Sequence, residues 1–516
     1  MTPTELLAVL PGGPRLHATQ RAGAQVDVRL VDVTHDSRQA GPGVLFACRP
    51  GQRVDGHDFA RRAVAVGSPA LLVERRCDLA VPQIIVRSVA DALGPAAAAI
   101  HGHPSRALML LGVTGTNGKT TTAYLLESVL RAAGHVTGLI GTVQTLVAGQ
   151  SIPGVRTRPE STDLQRLSRS EPSCSTTPES TDLQRLLRRM VNAKVTAVAM
   201  EVTSHALALG RVVGTEFAAA VFTNLTQDHL DFHGHLEDYY AAKARLFHPE
   251  YTRVGVVNVD DPWGRRLATA APVAVLRVSP SGAAADADVA ALDVEAGRVG
   301  STLTVACAGE RVRLRVRLPG RFNVANALCA LAAAHAVGVD LDAAVAGIAA
   351  LDGVPGRMER VDAGQPFTVL VDYAHSPDSV ANVLVAARDL AGPRRVLVVV
   401  GCGGDRDATK RSLMGRAAAE FADLAFLTSD NPRSEDPLAI LDMMVSGAQA
   451  VPQAAWTVEP DRRAAIALAL QAAVPGDVVV IAGKGHESYQ EFADLVLPFD
   501  DRLVARELLE VGEVPT

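Results

Sequence analysis

The sequence predicts an α/β protein of three domains. Its 516 residues are too many for one hydrophobic core. An apolar run, a glycine-rich turn and an apolar-periodic helix follow one another over residues 108–134. Over residues 355–516, apolar strands alternate with helices, which is typical of a doubly wound, mostly parallel sheet. We therefore expect domains at residues 1–106, 107–354 and 355–516.

Composition excludes several classes of protein. The chain is 48% hydrophobic but only 4% aromatic, and its net charge is −6. With no basic block and few rings to stack on bases, nucleic-acid binding is not expected. The six cysteines form no C-x-x-C pair, which favours reduced thiols and a cytoplasmic location. No apolar run has membrane-spanning length and the N-terminus lacks a signal pattern, so membrane insertion is not expected.

Lysine is unusually scarce in this chain. Of 50 basic residues only five are lysine, namely Lys119, Lys194, Lys243, Lys410 and Lys484. Because arginine serves wherever a generic positive charge is enough, a lysine that remains is expected to supply the chemistry of an ammonium or amine.

The first domain carries a polar segment, THDSR at residues 34–38, followed by an apolar strand and a turn. Two further strands are predicted at ALLVE and QIIVR. His35, Ser37, Arg38, Gln52 and Arg53 form a polar cluster. From composition alone two interpretations stay open, an ordinary surface and a ligand site, and the first is favoured.

The glycine loop GVTGTNGKTTT begins at Gly112 and opens the second domain. Glycines let backbone N–H groups approach phosphate oxygens, and the helix N-terminus adds its positive end. Lys119 is placed to reach the outer phosphates, and the Thr120 hydroxyl is placed to bind Mg²⁺. Val113 stands where the common phosphate-loop pattern has a glycine. We expect this loop to bind ATP.

Further polar residues of this domain follow its predicted strands. Glu201 ends a strand at residues 195–202, where a carboxylate beside a phosphate loop holds Mg²⁺, although an ordinary strand-end acid is the alternative. His229 and its neighbours have no thiolates beside them, so zinc is not expected. Lys243 lies among alanines on a predicted helix, and lysine scarcity favours a chemical role over a solvated position. Asn258 ends a strand and suits a base or ribose.

A nine-residue segment, PESTDLQRL, occurs twice, at residues 159–167 and 178–186. The second copy continues directly into the apolar-periodic LLRRMVNA, so we interpret it as the copy that belongs to the fold. The first copy is expected to form an extra surface loop, which chains tolerate at low cost.

In the third domain each predicted strand ends in a polar cluster. The clusters include Asp372 with His375, Arg406, Asp430 with Asn431 and Arg433, and Lys484 with Glu487. Ligands bind at the carboxyl ends of such strands. This rim suits a zwitterionic, carboxylate-rich small molecule. A phosphate loop in one domain and an acceptor site in another indicate a ligase rather than a kinase or GTPase.

These motifs resemble those of the Mur ligase family along nearly the whole chain. The matching stretches are GVTGTNGKTTT, MEVTSHALALGR, FTNLTQDHLDFHG, AAKARLF, NVDD, GRFNVANAL, GRMER, VDYAHSPD, GCGGDRD, SDNPR and AGKGHE. The resemblance implies a UDP-sugar domain, a phosphate-loop ATPase domain and a Rossmann-like amino-acid domain, in that order. It implies a monomeric, ATP- and Mg²⁺-dependent ligase that adds meso-diaminopimelate to UDP-N-acetylmuramoyl-L-alanyl-D-glutamate through an acyl phosphate, in peptidoglycan precursor synthesis.

The resemblance also implies site residues. Catalysis is assigned to Lys119, Glu201, His229 and Lys243, the last as a carbamylated lysine. ATP binding is assigned to Gly115, Thr116, Asn117, Gly118, Lys119, Thr120, Thr121, Asn258, Arg357, Asp372 and His375. Mg²⁺ is assigned to Thr120, Glu201, His229 and the carbamate of Lys243. The UDP-sugar dipeptide is assigned to His35, Ser37, Gln52, Arg53, Val54, Thr176, Thr177, Thr203 and Arg211. Diaminopimelate is assigned to Arg406, Asp430, Asn431, Pro432, Arg433, Gly483 and Glu487.

Selectivity for diaminopimelate is expected from Arg433. Its guanidinium can form a bidentate pair with the carboxylate that diaminopimelate has and lysine lacks. Asp430 and Glu487 would take the distal ammonium.

Three rival readings remain open at this point. An L-lysine-adding ligase would lack the arginine of SDNPR, and a folylpolyglutamate synthase would lack the first domain. A non-catalytic pseudo-ligase, inactivated by the duplication, is disfavoured because Lys119, Glu201, His229 and Lys243 are all present.

Overall fold

The computed structural model describes residues 1–17, 28–51, 54–152, 176–297 and 300–511. Within them, the described strands build three main sheets, which follow one another along the chain. The predicted α/β class with a doubly wound C-terminal sheet is confirmed.

The first sheet has the strand order β1-β5-β4-β3-β2, and only β1 is antiparallel to its neighbour. Its strands are β1 (Arg15–His17), β2 (Asp32–Thr34), β3 (Val44–Ala47), β4 (Ala70–Val73) and β5 (Gln83–Ile85). The helices of this part are α1 (Pro3–Val9), α2 (Ala60–Ala65) and α3 (Val89–Ile100). The two strands predicted from ALLVE and QIIVR are β4 and β5.

The central sheet has the order β16-β15-β14-β13-β12-β11-β6-β10-β7-β8-β9. Its strands are β6 (Met109–Thr114), β7 (Thr137–Ile140), β8 (Thr145–Val147), β9 (Gln150–Ser151), β10 (Ala197–Glu201), β11 (Ala219–Phe222), β12 (Val254–Asn258), β13 (Ala274–Ser279), β14 (Val289–Gly297), β15 (Gly300–Cys307) and β16 (Glu310–Val316). The accompanying helices are α4 (Lys119–Ala132), α5 (Ser180–Asn192), α6 (Ser204–Ala208), α7 (Leu230–His233), α8 (Leu236–Ala244), α9 (Pro262–Ala270), α10 (Phe322–Ala336) and α11 (Leu341–Ala350).

Strand β6 extends further than its apolar run predicts, because it is paired on both sides. It runs parallel to β10 and to β11, and Thr114 still lies opposite Phe222. The carboxyl ends of these three strands therefore meet at one edge, with the glycine loop between Glu201 and the segment after β11. The β segment predicted at 280–317 is confirmed as the antiparallel β14–β16 at the end of this sheet.

The second copy of the repeated segment leads into α5 and forms its first turns, as predicted. The first copy, at 159–167, lies outside the described residues.

The third sheet has the order β17-β18-β22-β19-β20-β21, and β17 alone is antiparallel. Its strands are β17 (Glu359–Val361), β18 (Thr368–Asp372), β19 (Val396–Cys402), β20 (Leu424–Ser429), β21 (Trp456–Val458) and β22 (Val478–Ala482), and a separate hairpin follows as β23 (Tyr489–Glu491) and β24 (Val496–Pro498). The helices are α12 (Pro377–Ala391), α13 (Lys410–Phe421), α14 (Pro437–Gln449), α15 (Arg462–Ala472) and α16 (Asp501–Glu510). Apolar side chains of α12–α14 fill one face of the sheet, and those of α15 and α16 fill the other.

The part of the chain that the structure describes has neither a disulfide nor a membrane-spanning helix. Its cysteines are all free thiols. No helix there is long and apolar enough to cross a bilayer.

Candidate functional site

The glycine loop between β6 and α4 is held closely by neighbouring side chains. Gly115 has φ 148° and Gly118 has φ 86°, where side-chain-bearing residues are strained. A Cβ added at Gly115 would lie 1.9 Å from Thr223 Oγ1, and one added at Gly118 would lie 2.3 Å from Asn326 Oδ1. Both positions require glycine, and the loop leads straight into the N-terminus of α4, which favours anions.

Two lysines converge on this loop. Lys119 Nζ donates to Gly115 O at 2.9 Å and to Thr116 O at 2.7 Å, and Lys243 Nζ donates to Gly115 O at 2.7 Å. Lys243 is 1% exposed and lies 4.5 Å from the Tyr239 ring centroid, so it is not a solvated surface lysine. Burial, and then the charge of Lys119, lower the pKa of Lys243 well below its usual value.

Glu201 and Thr120 supply oxygens beside the loop. Glu201 is fully buried, and its Oε2 accepts from Thr120 Oγ1 at 3.0 Å and from Thr142 Oγ1 at 2.9 Å. Among the described residues no three His, Cys, Asp or Glu side chains form a metal-binding group. Mg²⁺ commonly takes one or two protein oxygens and completes its shell with phosphate and water. The pair Thr120–Glu201 fits that pattern.

A histidine cluster lies on the other side of Lys243. The ring centroids of His205 and His229 are 4.8 Å apart, and those of His205 and His233 are 5.5 Å apart. Burial lowers the pKa of His229 to about 3, although the neighbouring Asp228 carboxylate acts in the opposite direction. A neutral imidazole is what metal ligation needs. His205, inside the motif MEVTSHALALGR, is a residue that sequence reasoning missed.

Asp228 joins this cluster to the C-terminal part of the chain. Its Oδ1 is 3.7 Å from Lys410 Nζ, and its Oδ2 is 3.9 Å from His375 Nε2 and 3.6 Å from His229 Nε2. Burial alone would raise the pKa of Asp228, but its basic neighbours His229, Lys410 and His375 lower it below its ordinary value. Sequence reasoning missed Asp228, although lysine scarcity had marked its partner Lys410.

Other predicted ATP-binding residues lie where the central and C-terminal parts of the chain meet. Arg357 Nη2 donates to Thr120 Oγ1 at 3.2 Å, and its guanidinium lies 4.4 Å from the Tyr373 ring centroid. Asp372 accepts the N–H groups of Met358 and Ala374, at 2.7 and 2.8 Å. These bonds fix the backbone next to Arg357.

The glycine loop itself also contacts the C-terminal part. Asn117 Nδ2 donates to Asp378 Oδ2 at 3.0 Å, and Asp378 is another residue that sequence reasoning missed. On the central side, Asn258 Nδ2 donates to Thr223 O at 2.9 Å.

The residues predicted to bind the UDP-sugar fall into two groups. Thr176, Thr177, Thr203 and Arg211 lie together near Glu201: Thr177 Oγ1 donates to Glu201 O at 3.0 Å and accepts from Thr203 N at 3.1 Å. Thr176 Oγ1 is 3.0 Å from Thr142 Oγ1, and Arg211 Nη1 donates to Thr177 O at 3.4 Å.

The second group belongs to the first domain. His35 is partly buried and its Nδ1 has no hydrogen-bond partner among the described residues, while Val54 is 53% exposed. Gln52 and Arg53 lie outside the described residues.

Glu179, which sequence reasoning also missed, connects the two parts of the chain. Its Oε1 is 2.7 Å from Arg211 Nε, and its Oε2 is 3.6 Å from Arg49 Nη1.

A second polar cluster lies at the carboxyl ends of β20 and β22. Lys484 is fully buried, and its Nζ is 2.9 Å from Asn431 Oδ1, 3.3 Å from Asp430 Oδ1 and 3.4 Å from Glu487 Oε2. Asn431 Nδ2 donates to Glu487 Oε2 at 3.0 Å. Burial raises the pKa of Glu487. Burial opposes ionisation of Asp430 too, but the positive charges of Lys484 and Arg462 lower its pKa.

Arg433 is held beside this cluster. Its Nε donates to Glu491 Oε2 at 3.0 Å and its Nη1 donates to Gly404 O at 2.7 Å. Within the described residues its Nη2 makes no hydrogen bond, so one edge of the guanidinium is left for a ligand. Glu491 was missed from the sequence because the short hairpin β23–β24 was not predicted.

The remaining predicted residues of this cluster are Arg406, Pro432 and Gly483. Arg406 Nη1 donates to Asp405 O at 3.1 Å, Pro432 O accepts from Glu435 N at 3.1 Å, and Gly483 N donates to Asp372 O at 3.1 Å.

Models of known families match three stretches of this chain. They are described as "Mur ligase family, catalytic domain" at residues 30–110, "Mur ligase middle domain" at residues 113–334 and "Mur ligase, glutamate ligase domain" at residues 356–485.

Individual proteins are similar over almost the full length. The UDP-N-acetylmuramoyl-L-alanyl-D-glutamate–2,6-diaminopimelate ligase of Streptomyces coelicolor is 49% identical over 490 residues, which cover 93% of this chain and 92% of that protein. A solved structure of a ligase with the same name is 31% identical, covers 94% of this chain and 96% of its own, and has a TM-score of 0.64. The MurF ligase from Thermotoga maritima in complex with ADP is 18% identical with a TM-score of 0.60, covering 93% of this chain and 97% of its own, which shows the fold alone.

Proposed function

Because the chain belongs to the Mur ligase family, we infer that it is an ATP-dependent ligase that adds meso-diaminopimelate to UDP-N-acetylmuramoyl-L-alanyl-D-glutamate. This reaction extends the peptide of a peptidoglycan precursor. The observation that carries the proposal is the pairing of two sites: a phosphate loop contacted by a partly buried lysine and a fully buried one, and a second cluster rich in paired charges at the carboxyl ends of β20 and β22. Phosphoryl transfer needs the first site, and an amino-acid acceptor suits the second.

The proposed reaction has two balanced steps. The γ-carboxylate of the D-glutamyl residue attacks the terminal phosphorus of ATP, which forms an acyl phosphate and releases ADP. The free amine of diaminopimelate then attacks the acyl carbon, loses a proton and expels phosphate, which leaves an amide. Lys119, Arg357 and the N-terminus of α4 are placed to stabilise the charge on the phosphoryl oxygens.

Magnesium is proposed to be held by Thr120 and Glu201, whose oxygens are 3.0 Å apart, with His229 and Lys243 supporting a second ion. A bound magnesium ion would neutralise phosphate charge. Lys243 is proposed to react as a neutral amine with CO₂ to give a carbamate and a proton. The lowered pKa that burial gives Lys243 supports this assignment, because only the neutral amine is nucleophilic.

The first domain is proposed to bind the UDP-sugar through His35, Ser37, Gln52, Arg53 and Val54, and the dipeptide to continue toward Thr176, Thr177, Thr203 and Arg211. Support comes from the position of the threonine group next to Glu201. We also propose that the protein is a cytoplasmic monomer with domain boundaries near residues 106 and 354.

Diaminopimelate is proposed to bind at the cluster formed by Asp430, Asn431, Lys484 and Glu487, with Arg406, Arg433 and Gly483 around it. Arg433 is oriented by Glu491 and Gly404, so its remaining N–H groups can pair with the distal carboxylate. A lysine substrate has no carboxylate there, so it would leave this guanidinium unpaired.

Phosphate release from ATP tests the proposal. With the UDP-sugar dipeptide present, phosphate release should occur when meso-diaminopimelate is added and not when L-lysine is added instead. Arg433→Ala should largely abolish the release that depends on diaminopimelate. Arg463→Ala is the matched control, because Arg463 is in the same domain but forms an exposed ion pair with Glu507. Release with lysine in place of diaminopimelate would overturn the assigned selectivity, and no release with either would overturn the function.

A further inference from the structure

Arg462 and Asp501 form an ion pair that is entirely shielded from solvent. Both side chains are 0% exposed. Arg462 Nε donates to Asp501 Oδ1 at 2.8 Å and Nη2 donates to Asp501 Oδ2 at 2.7 Å, which is a bidentate arrangement. A buried pair of this kind is weak evidence for stability, because desolvation offsets most of its attraction.

The same guanidinium also reaches two backbone carbonyl groups. Nη2 donates to Ala482 O at 2.9 Å and Nη1 donates to Ser429 O at 3.4 Å. Ala482 is the last residue of β22 and Ser429 is the last residue of β20. Strand β19 lies between these two strands in the sheet, so they share no ladder of hydrogen bonds. Arg462 thus connects the ends of two strands that are not neighbours.

The residues that follow those two carbonyls are Asp430 and Gly483. A Cβ on Gly483 would lie 3.6 Å from Asp430 Oδ2 and 3.9 Å from Arg462 Nη2, so the carboxylate, the glycine and the guanidinium meet at one point. After the charge of Lys484, the positive charge of Arg462 also contributes to the lowered pKa of Asp430, whose carboxylate Glu487 and Arg433 face as well. Arg462 therefore affects both the position and the charge of the Asp430 carboxylate, which lies in the proposed amino-acid site.

We propose that Arg462 is a positioning residue for the amino-acid substrate: it fixes the strand ends that carry Asp430 and Gly483, and together with Lys484 and Arg433 it keeps Asp430 ionised to receive the distal ammonium of a diamino acid. This inference rests on the proposed function. Arg462 does not touch the substrate; it acts through Asp430. The role predicts a defect confined to one of the three substrates.

The test compares two double variants, each of which removes both partners of an ion pair and so leaves no lone charge. Arg462→Met with Asp501→Leu removes the pair under the site. Arg395→Met with Asp477→Leu removes a pair at the opposite ends of the strands, before β19 and β22, where Arg395 Nη2 is 2.6 Å from Asp477 Oδ2. For each variant, KM for meso-diaminopimelate, ATP and the UDP-sugar dipeptide is measured with kcat, together with the pH profile of kcat/KM for diaminopimelate.

The first double variant should raise KM for diaminopimelate by about 10–100-fold, the range typical of residues that orient ligating groups. Its KM for ATP should stay within about twofold, and the acid limb of its pH profile should move to higher pH because Asp430 loses a positive neighbour. The control variant should leave all three KM values unchanged. Equal rises for all three substrates, or an unchanged KM for diaminopimelate in an enzyme with normal KM for ATP, would overturn the inference.

Two further measurements distinguish a failure of this inference from misfolding of the variant and from a failure of the proposed function. If the double variant does not fold, Arg462→Lys is used, since lysine keeps the charge but cannot make the forked contact. It should raise KM for diaminopimelate without moving the acid limb, and wild-type values for both would contradict the positioning role. A wild-type enzyme without diaminopimelate-dependent phosphate release would contradict the proposed function itself.

Discussion

Asp228 and Lys410 form an ion pair between the central and C-terminal parts of the chain, with 3.7 Å between Oδ1 and Nζ. The Asp228 side chain is 7% exposed and that of Lys410 is 12% exposed, so the pair is shielded more than an ordinary surface pair. His229 and His375 approach the same carboxylate from the two sides of the interface. The contact therefore links the position of α13, which begins at Lys410, to the phosphate loop.

Removal of this ion pair should slow the ligase. We expect Lys410→Met and Asp228→Asn each to lower kcat/KM for ATP by about tenfold or more, because either change weakens the interface beside the phosphates. The double variant should be little worse than either single one, with a coupling energy of about 0.5–3 kcal/mol. Phosphate-release kinetics measure all three. Lys194→Met, at an exposed lysine, is the control; strictly additive losses would show that the two residues act separately.

Carbamylation of Lys243 should be visible directly. Burial lowers the pKa of its amine well below the usual value, which favours the neutral form that reacts with CO₂. Protein equilibrated with ¹³C-bicarbonate should show a carbamate carbon signal by NMR, and Lys243→Ala should lose that signal and about 100-fold or more of kcat, within the range of catalytic electrostatic contributions. Lys194→Arg should keep both. A Lys243→Ala enzyme with near-normal activity would refute the carbamate assignment.

The sequence predicts those parts of the fold and site whose residues are adjacent in the chain, and it does not predict contacts between residues that are distant in the chain. The phosphate loop is recognisable because its strand, glycines, Lys119 and helix are adjacent in the chain. The apolar run, the glycine-rich turn and the helical periodicity can each be recognised from neighbouring residues alone. The pairs Asp228–Lys410 and Arg462–Asp501 are not recognisable in this way, because each joins residues that are brought together only when separate elements pack. A single sequence carries no periodicity that marks such pairs.

The scarcity of lysine predicted some functional residues that local sequence motifs do not mark. Lysine scarcity drew attention to Lys243, Lys410 and Lys484, and the structure places all three in buried or nearly buried contacts. No equivalent signal marked Arg462 among the many arginines, or Glu491 on a hairpin whose strands are only three residues long.

Gly115 should be intolerant of any side chain. Its φ of 148° is strained for alanine, and the added Cβ would lie 1.9 Å from Thr223 Oγ1. Gly115→Ala should abolish nucleotide binding and lower the melting temperature. Gly134→Ala is the matched control, since Gly134 also has a positive φ but no atom within 4 Å of the added Cβ. That variant should cost about 1 kcal/mol and retain binding, as titration calorimetry with ATP and thermal unfolding would show. Normal ATP affinity in Gly115→Ala would contradict the tight loop geometry.

Deletion of residues 157–175 should leave the enzyme active. These 19 residues carry the first copy of the repeat, and their removal joins Arg156 to Thr176. The contacts that matter lie in the second copy and just before it: Glu179 pairs with Arg211, and Thr177 bonds to Glu201 O. We expect kcat/KM within about threefold of wild type. The reciprocal control is Glu179→Ala in the full chain, which should raise KM for the UDP-sugar dipeptide; an inactive, folded deletion variant would show that the first copy is required.

Stability should fall on mild acidification because of the histidine cluster. Burial is the main cause that lowers the pKa of His233 to about 4, against about 6.5 in an unfolded chain. Between these values the unfolded state binds a proton that the folded state does not, so the free energy of unfolding decreases as pH falls from about 6.5 toward 4. Because His233 is only partly buried, we discount its share for solvent screening to about 1 kcal/mol, or about 1–2 °C in melting temperature for a chain of this length.

Thermal unfolding at pH 7, 6 and 5 measures this dependence. His233→Gln, which keeps a polar group near Ser204 Oγ, should flatten the decrease, because glutamine does not titrate. His248→Gln, at an exposed histidine, should leave the wild-type slope unchanged. A wild-type melting temperature that stays constant over this range, or a steeper decrease in His233→Gln, would mean that protonation of the cluster is not linked to unfolding.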